Sequence, residues 1–282
     1  MNLPAIQTDK KQFALLEYDH APKMAEKLGL DLTVESNVEK IKEFFLESAK
    51  VLAPHTSGLV LDPIYSFDLS SLPQKKNGVL FRLTTLHAEV DPLAVPILLP
   101  DWGVDDTANN YGMAKIELYY HPAEEKALQK KQLLADLFDY CQYRQIKLLV
   151  KLMLYTPADQ EFDEAQFQVD QLQAVQEFRK SADILALQYP LGPLAAATLT
   201  ADLDIPWLLL TQSQTHDQFK QDLRICLENG AAGYMLDACF WQDLQELKTK
   251  HKAPDWEKIE QFVQTELRDR LIELTRITDE AL

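Results

Sequence analysis

The stretch GMAKIELYYHP at Gly112–Pro122, followed after a helix-length segment by LLVKLMLYTP at Leu148–Pro157, decides the fold. Each run is short, apolar and rich in aromatic or β-branched residues, which is strand chemistry. The residues between them, about Ala123 to Arg144, carry apolar side chains at helical spacing. Strand, helix and strand in that order signal a βα unit on a parallel sheet. The same rhythm extends in both directions. Strands are predicted at Phe13–Asp19, Ser57–Asp62, Gly78–Thr84, Ala114–Tyr120, Lys147–Tyr155, Asp183–Tyr189, Pro206–Gln212 and Gly233–Ala238. Eight parallel strands close into a cylinder, and 282 residues match the size of such a fold, typically about 250.

The expected architecture is therefore α/β, a (β/α)8 TIM barrel forming one domain over residues 1–282. Helices are expected at Thr33–Leu52, Ala123–Arg144, Asp163–Lys180, near Leu194, at Thr215–Asn229, and twice from Trp241 onward. Between strands two and three, Pro63–Asn77 is rich in Ser and Pro, so the helix there is reduced. Between strands three and four, Asp101–Asn110 reads as one helix.

Composition narrows the function. The chain carries 44 acidic against 28 basic residues, a formal net charge of -16, which repels a nucleic acid backbone or an anionic membrane. Neither is expected as a partner. Cys141, Cys226 and Cys239 are odd in number and lack CxxC spacing, which argues against a disulfide framework or a zinc site. With no apolar run long enough for export or membrane crossing, a cytoplasmic setting is expected. Apolar outer helices make a homodimer plausible. No GxGxxG or GxxxxGK[ST] motif occurs and no HxH or HExxH, so no cofactor and no metal is expected.

In such barrels the reacting groups sit near the C-terminal ends of the strands and point inward. Alternation puts Lys115, Glu117 and Tyr119 on one face of strand four, and Lys151 interrupts an apolar strand five. Strand one offers Glu17 and Asp19, strand three Arg82, strand six Gln188 and strand seven Gln212, with Ser213 next. His20 and His121 follow strand ends. A buried lysine either pairs with a carboxylate or loses its proton. The neutral amine attacks carbonyl carbon to form a Schiff base.

The segments LLEYDH (Leu15–His20), SGLVLDPIYSF (Ser57–Phe67), GMAKIELYYHP, LLVKLMLYTP, ADILALQYP (Ala182–Pro190) and ENGAAGYMLDACFW (Glu228–Trp241) resemble, in order and spacing, tagatose-1,6-bisphosphate aldolase and its class I relatives. The resemblance implies a Schiff-base carbon–carbon lyase of carbohydrate metabolism. It puts Asp19 on the family aspartate after strand one, His20 in place of a glutamine, and Lys115 on the strand-four lysine. It also shows departures. Lys151 stands where the family has a proton-transferring glutamate, and Ala186 stands where it has the Schiff-base lysine. Thr211-Gln212-Ser213 and Asp237-Ala238 replace the small and basic residues that hold phosphate there.

Two functions follow as expectations. In the first, a rewired lyase uses Lys151 as nucleophile, its proton loosened by repulsion from Lys115, with Glu117 or Asp19 moving protons. A less anionic carbonyl or sugar-derived compound is the substrate, held by His20, Arg82, Gln188, Gln212 and Ser213. In the second, the chain is a catalytically silent relative that binds a metabolite or regulates.

Overall fold

The computed structural model describes residues 3–72, 78–86, 91–158, 160–212, 214–249 and 253–281, apart from the Pro4 side chain. Its strands are β1 (Phe13–Tyr18), β2 (Gly58–Leu61), β3 (Gly78–Arg82), β4 (Met113–Tyr120), β5 (Leu148–Leu154), β6 (Ile184–Leu187), β7 (Trp207–Leu210) and β8 (Gly233–Leu236). They form one closed parallel barrel in sequence order, with β8 back against β1. This is the (β/α)8 barrel the sequence predicts.

Period-two alternation sorts each strand between two cores. Phe13, Leu15, Val60, Leu80, Met113, Leu149, Ile184, Ala186, Leu208, Leu210 and Met235 fill the lower lumen, joined by Ile6 from the 3-10 turn Leu3–Ile6. Their neighbours in sequence, among them Leu16, Leu59, Phe81, Ile116, Val150, Leu185 and Leu209, face outward into the layer that packs on the helices. Where β8 meets β1 the approach is tight: Gly233 has φ of 138°, and a Cβ there would meet the Phe13 carbonyl oxygen at 2.0 Å.

The outer layer contains α1 (Ala21–Leu28), α2 (Glu35–Leu52), α3 (Val104–Asn109), α4 (Ala127–Tyr143), α5 (Glu164–Phe178), α6 (Pro193–Asp202), α7 (His216–Glu228), α8 (Trp256–Phe262) and α9 (Arg268–Glu280). Between β2 and β3 the described residues hold only the 3-10 turn Phe67–Ser71, as the composition of that segment implies. The helix expected at Asp101–Asn110 begins at Val104, where Asp106 Oδ2 accepts the Gly103 N–H at 2.9 Å. The two closing helices are joined by a π turn, Val263–Leu267. A 3-10 segment, Ala238–Glu246, follows β8 directly.

The helix α1 is an addition to the sequence reading. It starts straight after His20 and buries Ala21, Met24, Ala25 and Leu28, and Gly29 ends it in the left-handed conformation. Among the described residues no helix is long and apolar enough to cross a membrane.

Candidate functional site

Above the apolar lower lumen, the inward positions turn polar. Glu17 lies one residue before the end of β1, with Asp19 and His20 just beyond it; Lys115 and Glu117 come from β4, Lys151 from β5, and Asp237 from the first position after β8. Register sets their level: Arg82 pairs with Lys115 across β3 and β4, Glu117 with Lys151 across β4 and β5, and Lys151 with Ala186 across β5 and β6. Lys151 therefore stands beside Ala186 at the same level of the barrel.

The polar side chains form one contiguous network. Lys115 Nζ lies 2.9 Å from Asp19 Oδ2 and 3.2 Å from both Glu17 Oε1 and Glu117 Oε2. Lys151 Nζ lies 3.1 Å from Glu17 Oε2, 3.4 Å from Asp237 Oδ2 and 3.5 Å from Glu117 Oε2. His20 Nε2 completes the ring, 2.9 Å from Glu17 Oε2, 3.3 Å from Asp19 Oδ1 and 3.6 Å from Glu117 Oε2. The two lysine side chains are 0% and 2% exposed. Both ammonium groups thus meet protein carboxylates instead of bulk water.

This arrangement fixes the protonation states. Burial pushes the Lys115 ammonium down, but Asp19, Glu17 and Glu117 outweigh it and hold the group above its ordinary value. Lys151 goes the same way: burial opposes the charge, and Glu117, Glu17, Asp237 and Asp19 together raise it well above the ordinary lysine range. His20, also disfavoured by burial, is lifted by Asp19 and Glu17 to about 10. Burial raises the carboxyls in turn, yet Lys115 and His20 bring Asp19 down to about 2, and Lys151 and Lys115 hold Glu117 well below its ordinary value. Three cations, Lys115, Lys151 and His20, thus face four carboxylates, Glu17, Asp19, Glu117 and Asp237. The expected loosening of the Lys151 proton by Lys115 does not occur, because surrounding carboxylates outweigh the one like charge.

The structure brings Lys115, Lys151, Glu117, Asp19 and His20 together, as their strand positions predict. The remaining predicted residues make their hydrogen bonds and ion pairs outside this network, although the Arg82 charge still acts on Asp19. Arg82 ion-pairs with Asp62 and donates to the Thr84 carbonyl, holding the ends of β2 and β3. Gln188 accepts the Leu154 N–H at 2.6 Å and so braces β5 against β6. Gln212 has its backbone N–H on Gln214 Oε1 and lines a small cavity with Thr211 and Cys239. Ser213 lies outside the described residues. His121 meets Asp170 at 3.4 Å.

Sequence reasoning placed Asp237 only as a substitution. In the structure it is a full member of the network, and its signal was an acidic residue at a strand end, on the same footing as Asp19. Asp62 was passed over in the same way. Among the described residues, Glu17, Asp19 and His20 form the one grouping with the spacing of metal ligands. It is poorly suited to a metal ion, since Lys115 and Lys151 already sit against its oxygens and would repel a further cation.

No protein-family model matches the sequence. Solved structures do match it in fold. An archaeal fructose 1,6-bisphosphate aldolase superposes with a TM-score of 0.66 over 98% of this chain and 96% of its own, at 14% identity. A Schiff base forming fructose-1,6-bisphosphate aldolase gives 0.63 over 97% and 96%, also at 14%. A Corynebacterium glutamicum protein gives 0.70 over 98% of this chain and 88% of its own, at 12%. The (β/α)8 barrel architecture is thus shared with these solved structures. At such identities the likeness carries the fold and no further.

Proposed function

We propose that this barrel keeps the class I aldolase frame without its Schiff-base chemistry, and binds a small carbonyl or sugar-derived molecule at its mouth as a metabolite-binding or regulatory protein. One observation carries the reading. Lys115 and Lys151, the second of them beside Ala186, are buried, and each is held by three carboxylate contacts within 3.5 Å. Carbonyl attack requires the neutral amine. An ordinary lysine at pH 7 is neutral in only about one molecule in several thousand, and every further unit of pKa lowers that tenfold. The network pushes Lys151 in that unfavourable direction.

A rewired lyase built on Lys151 is the second reading. The register of Lys151 against Ala186 supports it, because the amine has moved one strand across and remains at the same level of the lumen. The two readings separate in a trapping experiment. The protein is incubated near pH 7.5 with dihydroxyacetone, glyceraldehyde or pyruvate, reduced with borohydride, and mapped by peptide mass spectrometry. The silent reading expects no adduct at Lys151 or Lys115 above the background of surface lysines. A stoichiometric adduct at Lys151, lost in Lys151→Met, rejects it in favour of the lyase.

A further inference from the structure

The Asp237 carboxylate gathers donors from three separate parts of the barrel. Its Oδ1 accepts the Cys239 backbone N–H at 2.7 Å and the Thr211 hydroxyl at 3.0 Å, and its Oδ2 lies 3.4 Å from Lys151 Nζ. The Asp237 N–H in turn donates to Thr211 Oγ1 at 2.9 Å, which fixes that hydroxyl in place. An aspartate capping the 3-10 segment Ala238–Glu246 needs only the amide at its start. The hydroxyl after β7 and the ammonium of β5 are additional. An amide at the head of a helical turn, a hydroxyl and a lysine are together the donors that hold a phosphate or carboxylate ligand.

Asp237 is also the most open member of the network. Its side chain is 13% exposed, against 0% to 6% for Lys115, Lys151, Glu17, Asp19, Glu117 and His20. It is therefore the member of the network most accessible from solvent.

We infer that Asp237 is a specificity-determining residue, a built-in anion that fills the anion-binding corner of the mouth, so that the mouth takes an uncharged polar ligand and excludes a phosphorylated one. An arriving phosphate finds its donors engaged and a fixed negative charge in its place. The inference rests on reading the barrel mouth as the ligand site, and it holds whether or not Lys151 ever reacts.

Inorganic phosphate is the probe, with thermal unfolding followed at constant ionic strength for the wild type, Asp237→Gly, Asp237→Ser and Asp237→Asn. The glycine variant empties the corner, and the serine variant does so while keeping a helix cap in case glycine compromises folding. The asparagine variant removes the charge but keeps the corner filled. Phosphate up to about 50 mM is expected to leave the wild type and Asp237→Asn unchanged and to raise the Tm of Asp237→Gly and Asp237→Ser by several degrees, saturably. Adding Lys151→Met to either responsive variant is expected to weaken the response at least about tenfold, since it removes the only cation in the donor set. A wild type stabilised by phosphate as strongly as the emptied variants overturns the proposal. So does a folded Asp237→Gly or Asp237→Ser protein that ignores phosphate. Because trapping reads lysine adducts and this titration reads an anion, either can fail without the other.

Discussion

Replacing Lys115 with methionine is expected to destabilise the barrel by about 3–5 kcal/mol, the usual cost of removing one partner from a buried ion pair. For a chain of this size that corresponds to a fall in Tm of roughly 10 °C. The reason lies in what is left behind: Asp19, Glu17 and Glu117 all lose a contact of 3.2 Å or less, and none of them can turn to water. The desolvation of both partners was an outlay of folding that only their mutual attraction offsets. Coupling gives the sharper test. Lys115→Met combined with Glu117→Leu removes a cation and an anion together, and is expected to be more stable than the sum of the single variants by at least about 1 kcal/mol. Urea unfolding measures all four states. A Lys115→Met loss below about 1 kcal/mol would mean that solvent enters the lumen and screens the pair.

The second large effect is a fall in stability on the alkaline side. His20 titrates at 6.5 when exposed and at about 10 in the folded barrel. A group raised in the native state adds stability that is complete below the unfolded value and disappears as pH climbs through the folded one. Between pH 6.5 and 10 the barrel is therefore expected to lose on the order of 4 kcal/mol through this residue. Asp19 acts at the opposite end, since its value drops from 3.8 to about 2. Its contribution is complete above 3.8 and is lost as pH falls through about 2. Unfolding free energies at pH 5, 7, 8.5 and 10 check the alkaline limb, and His20→Gln should flatten it. If the wild type and His20→Gln show the same pH profile, the imidazolium is not held by Glu17 and Asp19 as described.

The strands and their inward residues were legible because both depend on local period. In β4, Lys115 and Glu117 are two positions apart, so a strand must put them on one face. Their protonation was not legible. It depends on partners 96 residues away for the Lys115–Asp19 contact and 134 away for Lys151–Glu17, and on how many carboxylates the closed cylinder crowds around each amine. With only strand positions in view, Lys115 and Lys151 look like mutual repellers; with the barrel closed, each has carboxylates nearer at hand.

Local signals were also missed. Ala21, Met24, Ala25 and Leu28 follow the i, i+3, i+4, i+7 spacing of a buried helix face, with proline in the first turn and Gly29 at the end. Only its shortness and two intervening lysines hid α1. Arg82 and Gln188 point to a different lesson. A polar residue at an inward strand end can spend its hydrogen bonds on neighbouring strands, as these two do on Asp62, Thr84 and Leu154, and then it holds the frame and offers little to a ligand.

The protonation of the Lys151 amine can be read directly by nitrogen-15 NMR of the lysine side chains, with Lys151→Met providing the assignment. A slowly exchanging ammonium resonance that persists from pH 6 past pH 10 is the expected result. A neutral amine appearing with a midpoint below about pH 9 would contradict the paired network and return Lys151 to the role of nucleophile.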